Sequence, residues 1–383
     1  MSEQFDFDQI IDRSNTSSSK WEKYRGQDVL PMWVADTDFA VAPAIQQALI
    51  ERARHPVYGY TDPPPALIEV IVERMRRLYD WEIKPRWLLF LPGVVGAINC
   101  ACRSIGKPGD PVYSPAVIYP NIGQAPELSA RVRQSVPMTW QQGRMVIDLG
   151  WLERQSPQRG QLLLLCNPQN PGGGMYRRDE LQRLADFAEQ HELLICSDEI
   201  HCELVLDEEN RHVPIALLNS QVEQRSITLM SPSKTFNLAG MGFSFAIVPD
   251  PGLRAGILRA RKGIVPYVGP MGYAAAQAAY ESGDEWRRQQ CAYLAGNRDY
   301  LLDAINAIEG LHAAPVEATY LAWIDVSALG LDNPPQFFEA AGVGMSPGAD
   351  FGDSGGMRFN FGCPRNRVVE AVKRIRRAVE ALA

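Results

Sequence analysis

Short apolar segments alternate with helix-like segments over most of the chain between residues 46 and 282. The apolar residues of the short segments occupy both phases of a strand, which is typical of strands buried on both faces. Seven segments predict strands: Trp87–Leu91, Pro111–Ser114, Val132–Met138, Gln161–Cys166, Leu193–Ser197, Ile227–Ser231 and Phe243–Val248. Helix patterns such as Val94–Ile105 and Arg178–Glu192 lie between them. The alternation predicts an α/β large domain, residues 46–282, with a mostly parallel seven-stranded sheet and helices on both faces.

The pattern changes after residue 282. A long helix pattern is followed by strand patterns and a last helix: Asp284–Glu309, Leu311–Val316, Thr319–Val326, Met357–Gly362 and Arg365–Ala383. Strands clustered between helices predict a smaller α+β domain over residues 283–383. Residues 1–45 are interpreted as an N-terminal arm that contributes to this smaller domain.

The composition excludes several classes of protein. The chain has 38 basic and 45 acidic side chains, so neither nucleic acid nor an anionic membrane is expected as a partner. The first eight residues lack the basic segment of a signal peptide, and no apolar run approaches the roughly 20 residues that span a bilayer. The seven cysteines form no C-x-x-C pair, which indicates reduced thiols, no metal site and a cytoplasmic location.

A lysine follows the sixth predicted strand in the segment Ser231-Pro232-Ser233-Lys234. Partial burial lowers the pKa of a lysine amine and makes it a nucleophile, for which Schiff-base chemistry is the common use. The hydroxyls of Ser231 and Ser233 can hydrogen-bond an anion beside it. The alternative interpretation is a surface lysine in a turn after a strand.

Other polar residues follow neighbouring strands, at the edge where α/β sheets bind ligands. Asp198 and His201 come after Leu193–Ser197, and Asn170 lies in the loop after Gln161–Cys166. Asp198 is also a good helix N-cap, His201 is also compatible with a hydrogen-bonded core histidine, and the loop of Asn170 with a plain connection.

Two further segments indicate anion binding. The glycine turn at Gly93 opens a helix whose first N–H groups, those of Val94 and Val95, can bind phosphate. Arg358 lies in an alternating strand, and its guanidinium suits a bidentate carboxylate contact, although a solvated arginine at a sheet edge fits equally well. Neither the P-loop nor the dinucleotide-binding glycine motif is present in the required context.

Together these segments resemble the pyridoxal-phosphate enzymes of the aspartate-aminotransferase fold over nearly the whole chain. Asn170, Asp198 and Lys234 are 28 and 36 residues apart (198 − 170 and 234 − 198), the order and spacing of that family. Five segments look like its cystathionine β-lyase (C–S lyase) branch: Pro31–Phe39, Tyr58–Tyr60, Asp198–His201, Lys234–Gly240 and Thr319–Asp325.

The resemblance implies pyridoxal 5'-phosphate as cofactor and a role for each candidate residue. Lys234 would carry the cofactor and then act as base at the substrate Cα, while Asp198 would pair with the pyridine nitrogen. The remaining expectations are Asn170 and His201 at the phenolic oxygen, Gly93, Val94, Val95, Ser231 and Ser233 at the phosphate, Tyr119 stacked on the ring, and Arg358 with the backbone at Ala35 at the substrate carboxylate. Tyr60 would reach the phosphate from the neighbouring subunit, which implies a homodimer.

One position departs from the wider family. Many aminotransferases carry a phosphate-binding arginine eight residues after the lysine, where this chain has Gly242. The departure fits the lyase branch, so the expected reaction is β-elimination from L-cystathionine or a related cysteine S-conjugate. The residues alone leave an aminotransferase open, because removal of the Cα proton is common to both reactions. A lyase with a secondary regulatory protein-binding role is a third possibility.

Overall fold

The computed structural model describes residues 4–382. Its strands are β1 Leu30–Met32, β2 Leu88–Leu91, β3 Pro111–Pro115, β4 Val132–Val136, β5 Met138–Gln141, β6 Arg144–Ile147, β7 Leu162–Cys166, β8 Leu194–Asp198, β9 Ser226–Met230, β10 Ser244–Ile247, β11 His312–Ala313, β12 Leu321–Asp325, β13 Val343–Pro347 and β14 Gly356–Asn360. Its helices are α1 Ser19–Glu22, α2 Pro43–Arg54, α3 Pro65–Tyr79, α4 Val94–Ser104, α5 Pro120–Leu128, α6 Leu149–Glu153, α7 Arg178–Gln190, α8 Ser220–Gln224, α9 Pro232–Thr235, α10 Pro251–Arg261, α11 Pro270–Ser282, α12 Asp284–Asn306, α13 Pro334–Ala340 and α14 Arg365–Glu380.

The larger sheet has seven strands in the order β2-β10-β9-β8-β7-β3-β4. Its strands run parallel except β10, which is antiparallel to both neighbours. The predicted α/β class and the mostly parallel seven-stranded sheet are therefore confirmed.

One predicted strand is too long. The apolar run 132–138 is split at Pro137, so that β4 ends at Val136 and Met138 begins β5 in a separate hairpin with β6. Proline has no N–H for the strand ladder, which explains the break.

The four leucines of β7 show why this strand is apolar in both phases. Leu162 and Leu164 pack in a cluster with residues of α4, α5 and α10. Leu163 and Leu165 pack on the opposite face, in a cluster with residues of α7. A strand covered on both sides has no polar face, and its alternate residues therefore belong to two separate cores.

The second sheet has five strands in the order β1-β13-β14-β12-β11. Strand β1, from the N-terminal arm, pairs in parallel with β13. The sequence did not predict β13, which contains Gly344. A Cβ at Gly344 would overlap the Tyr24 side chain, so this glycine permits a close approach. The boundaries at residues 45 and 282 remain predictions.

The parallel strands bring the predicted site segments to one edge of the larger sheet. Cys166 at the end of β7 lies beside Asp198 at the end of β8, which is beside Leu229 near the end of β9. Asn170 lies in the loop that follows β7, and Lys234 lies in the short helix α9 that follows β9. Within residues 4–382, no helix combines the length and apolarity needed to cross a membrane.

Candidate active site

A cavity of about 490 Å³ lies at this edge, between the larger sheet, the second sheet and the N-terminal arm. Twelve predicted site residues line it: Ala35, Gly93, Val94, Val95, Tyr119, Asn170, Asp198, His201, Ser231, Ser233, Lys234 and Arg358. Tyr60 does not line the cavity of its own chain, and its side chain is fully exposed. Its predicted contact with a neighbouring subunit therefore remains a prediction.

Lys234 lies in the short helix α9, directly after β9. Its Nζ donates a hydrogen bond of 2.7 Å to the backbone carbonyl of Ala35, a residue of the arm. Burial, together with the positive charge of Arg358, lowers the pKa of the Lys234 amine from 10.5 to about 8. Near neutral pH a much larger fraction of this amine is therefore neutral than in an ordinary lysine.

Asp198 ends β8 and accepts a hydrogen bond of 3.3 Å from the backbone N–H of Ile200. Burial raises the pKa of its carboxyl from 3.8 to about 7. His201 is equally buried, and neither ring nitrogen has a hydrogen-bond partner among the described residues. Burial, with the charges of Lys234 and Arg358, lowers the pKa of His201 well below 6.5, so its imidazole is neutral.

Arg358 is a buried residue of β14. Its guanidinium donates to Asn170 Oδ1 at 3.0 Å, to the Trp33 carbonyl at 2.8 Å and to Ser346 Oγ at 3.2 Å. Within residues 4–382 it forms no ion pair, and its Nε has no partner. Burial lowers the pKa of Arg358 to about 10. A buried cation with only neutral acceptors is suited to binding a carboxylate ligand.

Backbone and hydroxyl groups also line the cavity, at Gly93, Val94, Val95, Ser231 and Ser233. Gly93 precedes α4, and the first N–H groups of a helix have no acceptor within the helix. Ser231 Oγ donates to the Phe243 carbonyl at 2.7 Å and accepts from Ser233 N–H at 3.0 Å. Gly242 has a positive φ of 60°, a left-handed backbone that glycine adopts most easily.

Tyr119 lines the cavity immediately before α5. Its hydroxyl accepts a hydrogen bond of 2.8 Å from Asn121 Nδ2, and burial raises the pKa of the phenol. Within residues 4–382 the Tyr119 O–H donates to no group, so it is available to a ligand in the cavity.

Several cavity contacts were not predicted from the sequence. The Tyr320 hydroxyl donates to the same Ala35 carbonyl as Lys234, at 3.1 Å. Asn360 Nδ2 donates to the carbonyls of Val34 and Asp36, which anchors the arm on both sides of Ala35. Tyr320 lay in a segment that supported the resemblance, but its spacing gave no sign of a role. The cavity residues Ser346, Asp350 and Phe351 carried no recognisable pattern.

The chain matches the family model for aminotransferase class I and II over residues 28–375. The chain belongs to this family. It is 32% identical to the cystathionine β-lyase PatB of Bacillus subtilis (strain 168), covering 97% of this chain and 99% of the relative. The crystal structure of OvoB is similar with a TM-score of 0.94 and 48% identity, over 98% and 99% of the two chains. Cystalysin from Treponema denticola, whose crystal structure contains pyridoxal 5'-phosphate, has a TM-score of 0.94 and 29% identity over both full lengths.

These similarities confirm the predicted resemblance to the pyridoxal-phosphate enzymes and to their cystathionine β-lyase branch. The predicted cofactor is likewise confirmed. The cavity fits this group, because it offers a partly buried amine, a buried carboxyl group and an imidazole whose two nitrogens have no hydrogen-bond partner within residues 4–382. The chain is a pyridoxal-phosphate-dependent enzyme of the branch that contains carbon–sulfur lyases.

Proposed function

We propose that the enzyme cleaves the Cβ–S bond of L-cysteine S-conjugates, L-cystathionine among them. One conjugate and one water give a thiol, pyruvate and ammonia. The observation that carries the proposal is the placing of the Lys234 amine and the unpaired Arg358 guanidinium in one cavity. A base and a carboxylate-binding cation are what removal of an α-proton from an amino acid requires.

Pyridoxal phosphate, when bound, supplies an electron-withdrawing ring that stabilises negative charge at the substrate Cα. Lys234 would bind the aldehyde of the cofactor, and Asp198 would bind its ring nitrogen. Asn170 and His201 would bind its phenolic oxygen, and Tyr119 would stack against its ring. The phosphate would be bound by Gly93, Val94, Val95, Ser231 and Ser233. Lys234 and Arg358 are the lysine and the arginine among the residues that line the cavity.

Lys234 acts as the base. An amine with a pKa of about 8 has a substantial neutral fraction near neutral pH and still holds a proton well once it has accepted one. The Ala35 carbonyl, 2.7 Å away, fixes the position of Nζ. The same amine can therefore remove the Cα proton and keep it while the thiolate leaves.

Arg358 orients the substrate. Hydrogen bonds to Asn170, Ser346 and the Trp33 carbonyl fix the orientation of the Arg358 side chain. The guanidinium N–H groups that these bonds do not use, that of Nε among them, therefore point in one direction. A carboxylate bound there has one orientation toward Lys234. Holding a reacting bond at a set angle is a positioning effect that lowers the entropic part of the barrier.

The proposal is tested by incubating the purified enzyme and its cofactor with L-cystathionine and a series of S-alkyl-L-cysteines. We expect pyruvate and free thiol in equal amounts, without any added keto acid. The Lys234→Ala variant is the control, and it should lose both the products and the visible absorption band of the cofactor-bound enzyme. Wild-type enzyme that carries cofactor but releases no pyruvate from any conjugate contradicts the proposal.

An aminotransferase is the second candidate, because the matched family model is named for aminotransferases. Lys234 and Arg358 would serve that reaction equally well up to proton removal. The two reactions differ in their need for an acceptor: a transaminase forms product only when a keto acid is present. Product that depends on added keto acid would favour the aminotransferase. The secondary regulatory role remains a prediction.

A further inference from the structure

Asp350 is a carboxylate in the cavity to which the proposed function gives no task. The ionisable lining residues are Tyr119, Cys166, Asp198, His201, Lys234, Asp350 and Arg358. Asp198 would serve the cofactor nitrogen, Lys234 the reaction and Arg358 the substrate carboxylate. Asp350 also forms no hydrogen bond or ion pair with any side chain described in residues 4–382.

The position of Asp350 is on the substrate side of the cavity. It lies on the turn Gly348–Phe351, which follows β13. The next residue, Phe351, packs its ring against the guanidinium of Arg358 at 4.6 Å. The charge of Asp350 also acts on Arg358, whose ionised form it favours. Asp350 is itself exposed, so it lies at the solvent end of the cavity rather than among the buried groups.

The charge of Asp350 constrains the substrate. A conjugate whose α-carboxylate is bound to Arg358 brings a second negative charge toward Asp350, and like charges at short range are unfavourable. A cation or an N–H donor on the leaving group would face Asp350, and its interaction with the Asp350 carboxylate would be favourable. A distal carboxylate without an accompanying cation would be repelled by Asp350, which disfavours such a substrate. The distal end of L-cystathionine carries an ammonium group beside its carboxylate and is therefore not rejected in this way.

The aromatic lining of the cavity favours the same class of leaving group. Trp33 and Phe351 line it in addition to Tyr119, which is assigned to the cofactor ring. Because Phe351 already packs against the Arg358 guanidinium, these side chains offer apolar area for a carbon chain rather than a free face for a cation. An apolar wall that ends in a free carboxylate matches a leaving group with an apolar stem and a cationic tip.

We infer that Asp350 selects cysteine S-conjugates whose leaving thiol carries a positive charge or an N–H donor. The inference rests on the proposed β-elimination and adds the class of leaving group to it. Asp350 is a specificity residue, and it takes no part in the bond-breaking step.

The test compares kcat/KM for three conjugates of similar size. They are S-(2-aminoethyl)-L-cysteine, neutral S-propyl-L-cysteine and anionic S-(2-carboxyethyl)-L-cysteine. We expect the wild-type holoenzyme to prefer them in that order. In Asp350→Asn the ratio of aminoethyl to propyl conjugate should fall about fivefold, the size of a solvent-exposed ion pair. The ratio of carboxyethyl to propyl conjugate should rise.

Matched variants separate charge from structure. Asp350→Glu keeps the charge and should keep the wild-type order, and Asp350→Ser should repeat the result of Asp350→Asn. Asp332→Asn removes the same charge from an exposed residue that does not line the cavity, and it should leave all three ratios unchanged.

Two negative results are distinct. If the wild-type enzyme cleaves the propyl conjugate but Asp350→Asn and Asp350→Ser keep the wild-type ratios, the role of Asp350 is overturned and β-elimination stands. If the cofactor-loaded wild type releases no pyruvate from any of the three, the proposed function fails and the inference fails with it.

Discussion

Lys234, Asp198 and Arg358 are three ionisable side chains of one cavity, without ion pairs among them. Asp198 and Arg358 are buried and Lys234 is partly buried. Burial disfavours the charged form of each, which lowers the pKa of the two cations and raises that of the carboxyl. A protein interior built for stability alone would pair such groups. Their unpaired state leaves an amine, an acid and a guanidinium available to ligands.

At the residue scale, Arg358→Ala is expected to lower kcat/KM for cysteine conjugates by at least about 30-fold, the loss that goes with removing one partner of a buried charge pair. Arg358→Lys should not restore the activity, because a lysine cannot donate the parallel pair of hydrogen bonds. Steady-state kinetics at saturating cofactor provide the measurement. An unchanged KM in Arg358→Ala would remove Arg358 from the substrate site.

Asp198 gives a prediction about pH. Its pKa is 3.8 in a free chain and about 7 in the fold, so the folded state binds a proton that the unfolded state has lost. Asp198 should therefore lower the stability of the cofactor-free protein by up to about 4 kcal/mol as pH rises from about 4 to 7, alongside the separate contributions of the other ionisable groups. Asp198→Asn should remove this contribution. Thermal unfolding of the two cofactor-free proteins across this range is the measurement, and parallel curves would contradict the prediction.

At the scale of elements, one buried carboxylate joins the N-terminal arm to the last helix. Asp38 pairs with Arg13 at 2.7 Å, Lys20 at 3.2 Å and Arg367 of α14 at 2.9 Å. Burial opposes the ionisation of Asp38, but these cations outweigh it and lower its pKa. The arm segment held in this way includes Ala35, whose carbonyl accepts the hydrogen bond from Lys234.

We expect Asp38→Asn to lower the free energy of unfolding by about 3 kcal/mol, because it removes the carboxylate partner of Arg367 and the nearer partner of the buried Lys20, which keeps only Asp36 at 3.6 Å. Asp28→Asn is the control, since Asp28 is an exposed partner of Arg374 and should contribute less than about 1 kcal/mol. Urea unfolding at pH 7 measures both. Because the pKa of Asp38 is lowered, its contribution is present above pH 3.8 and should be lost as pH falls below that value. Equal effects of the two substitutions would contradict this account.

At the scale of the whole molecule, large apolar side chains are exposed on two segments outside the strands and helices. Val57, Tyr58 and Tyr60 lie on the first, Ile264 and Tyr267 on the second. Exposed apolar groups of this size are candidates for burial against a partner. We therefore propose a homodimer in which Tyr60 enters the neighbouring cavity.

Mixing two inactive variants tests this arrangement. Tyr60→Ala and Lys234→Ala homodimers should each have low activity, and a mixed dimer should contain one intact site. After subunit exchange at equal amounts, about one quarter of the wild-type activity should return, as expected for random pairing in a two-fold dimer. Light scattering establishes the oligomer. Activity that stays at the level of the unmixed variants would mean that Tyr60 does not act across an interface.

Local patterns were sufficient for the larger sheet and for the residues at its edge. All four leucines of β7 are buried, so its strand type and its central position can both be inferred from composition. Asn170, Asp198 and Lys234 each follow a strand, and parallel strands must bring such residues to one edge. The predicted sheet was confirmed because each of its strands depends on neighbours in the sequence, apart from the end of β4. The roles of the three residues remain predictions.

Contacts between distant residues were decided only by the tertiary structure. The hydrogen bond from Arg358 to Asn170 joins residues 188 apart, and the one to the Trp33 carbonyl joins residues 325 apart. Lys234 and Ala35 are 199 residues apart. The placement of Asp350 beside Arg358 likewise depends on a strand, β13, that no local pattern indicated. A repeating pattern reports which face of an element is buried, whereas the partner of a polar side chain depends on how the two sheets and the arm pack together.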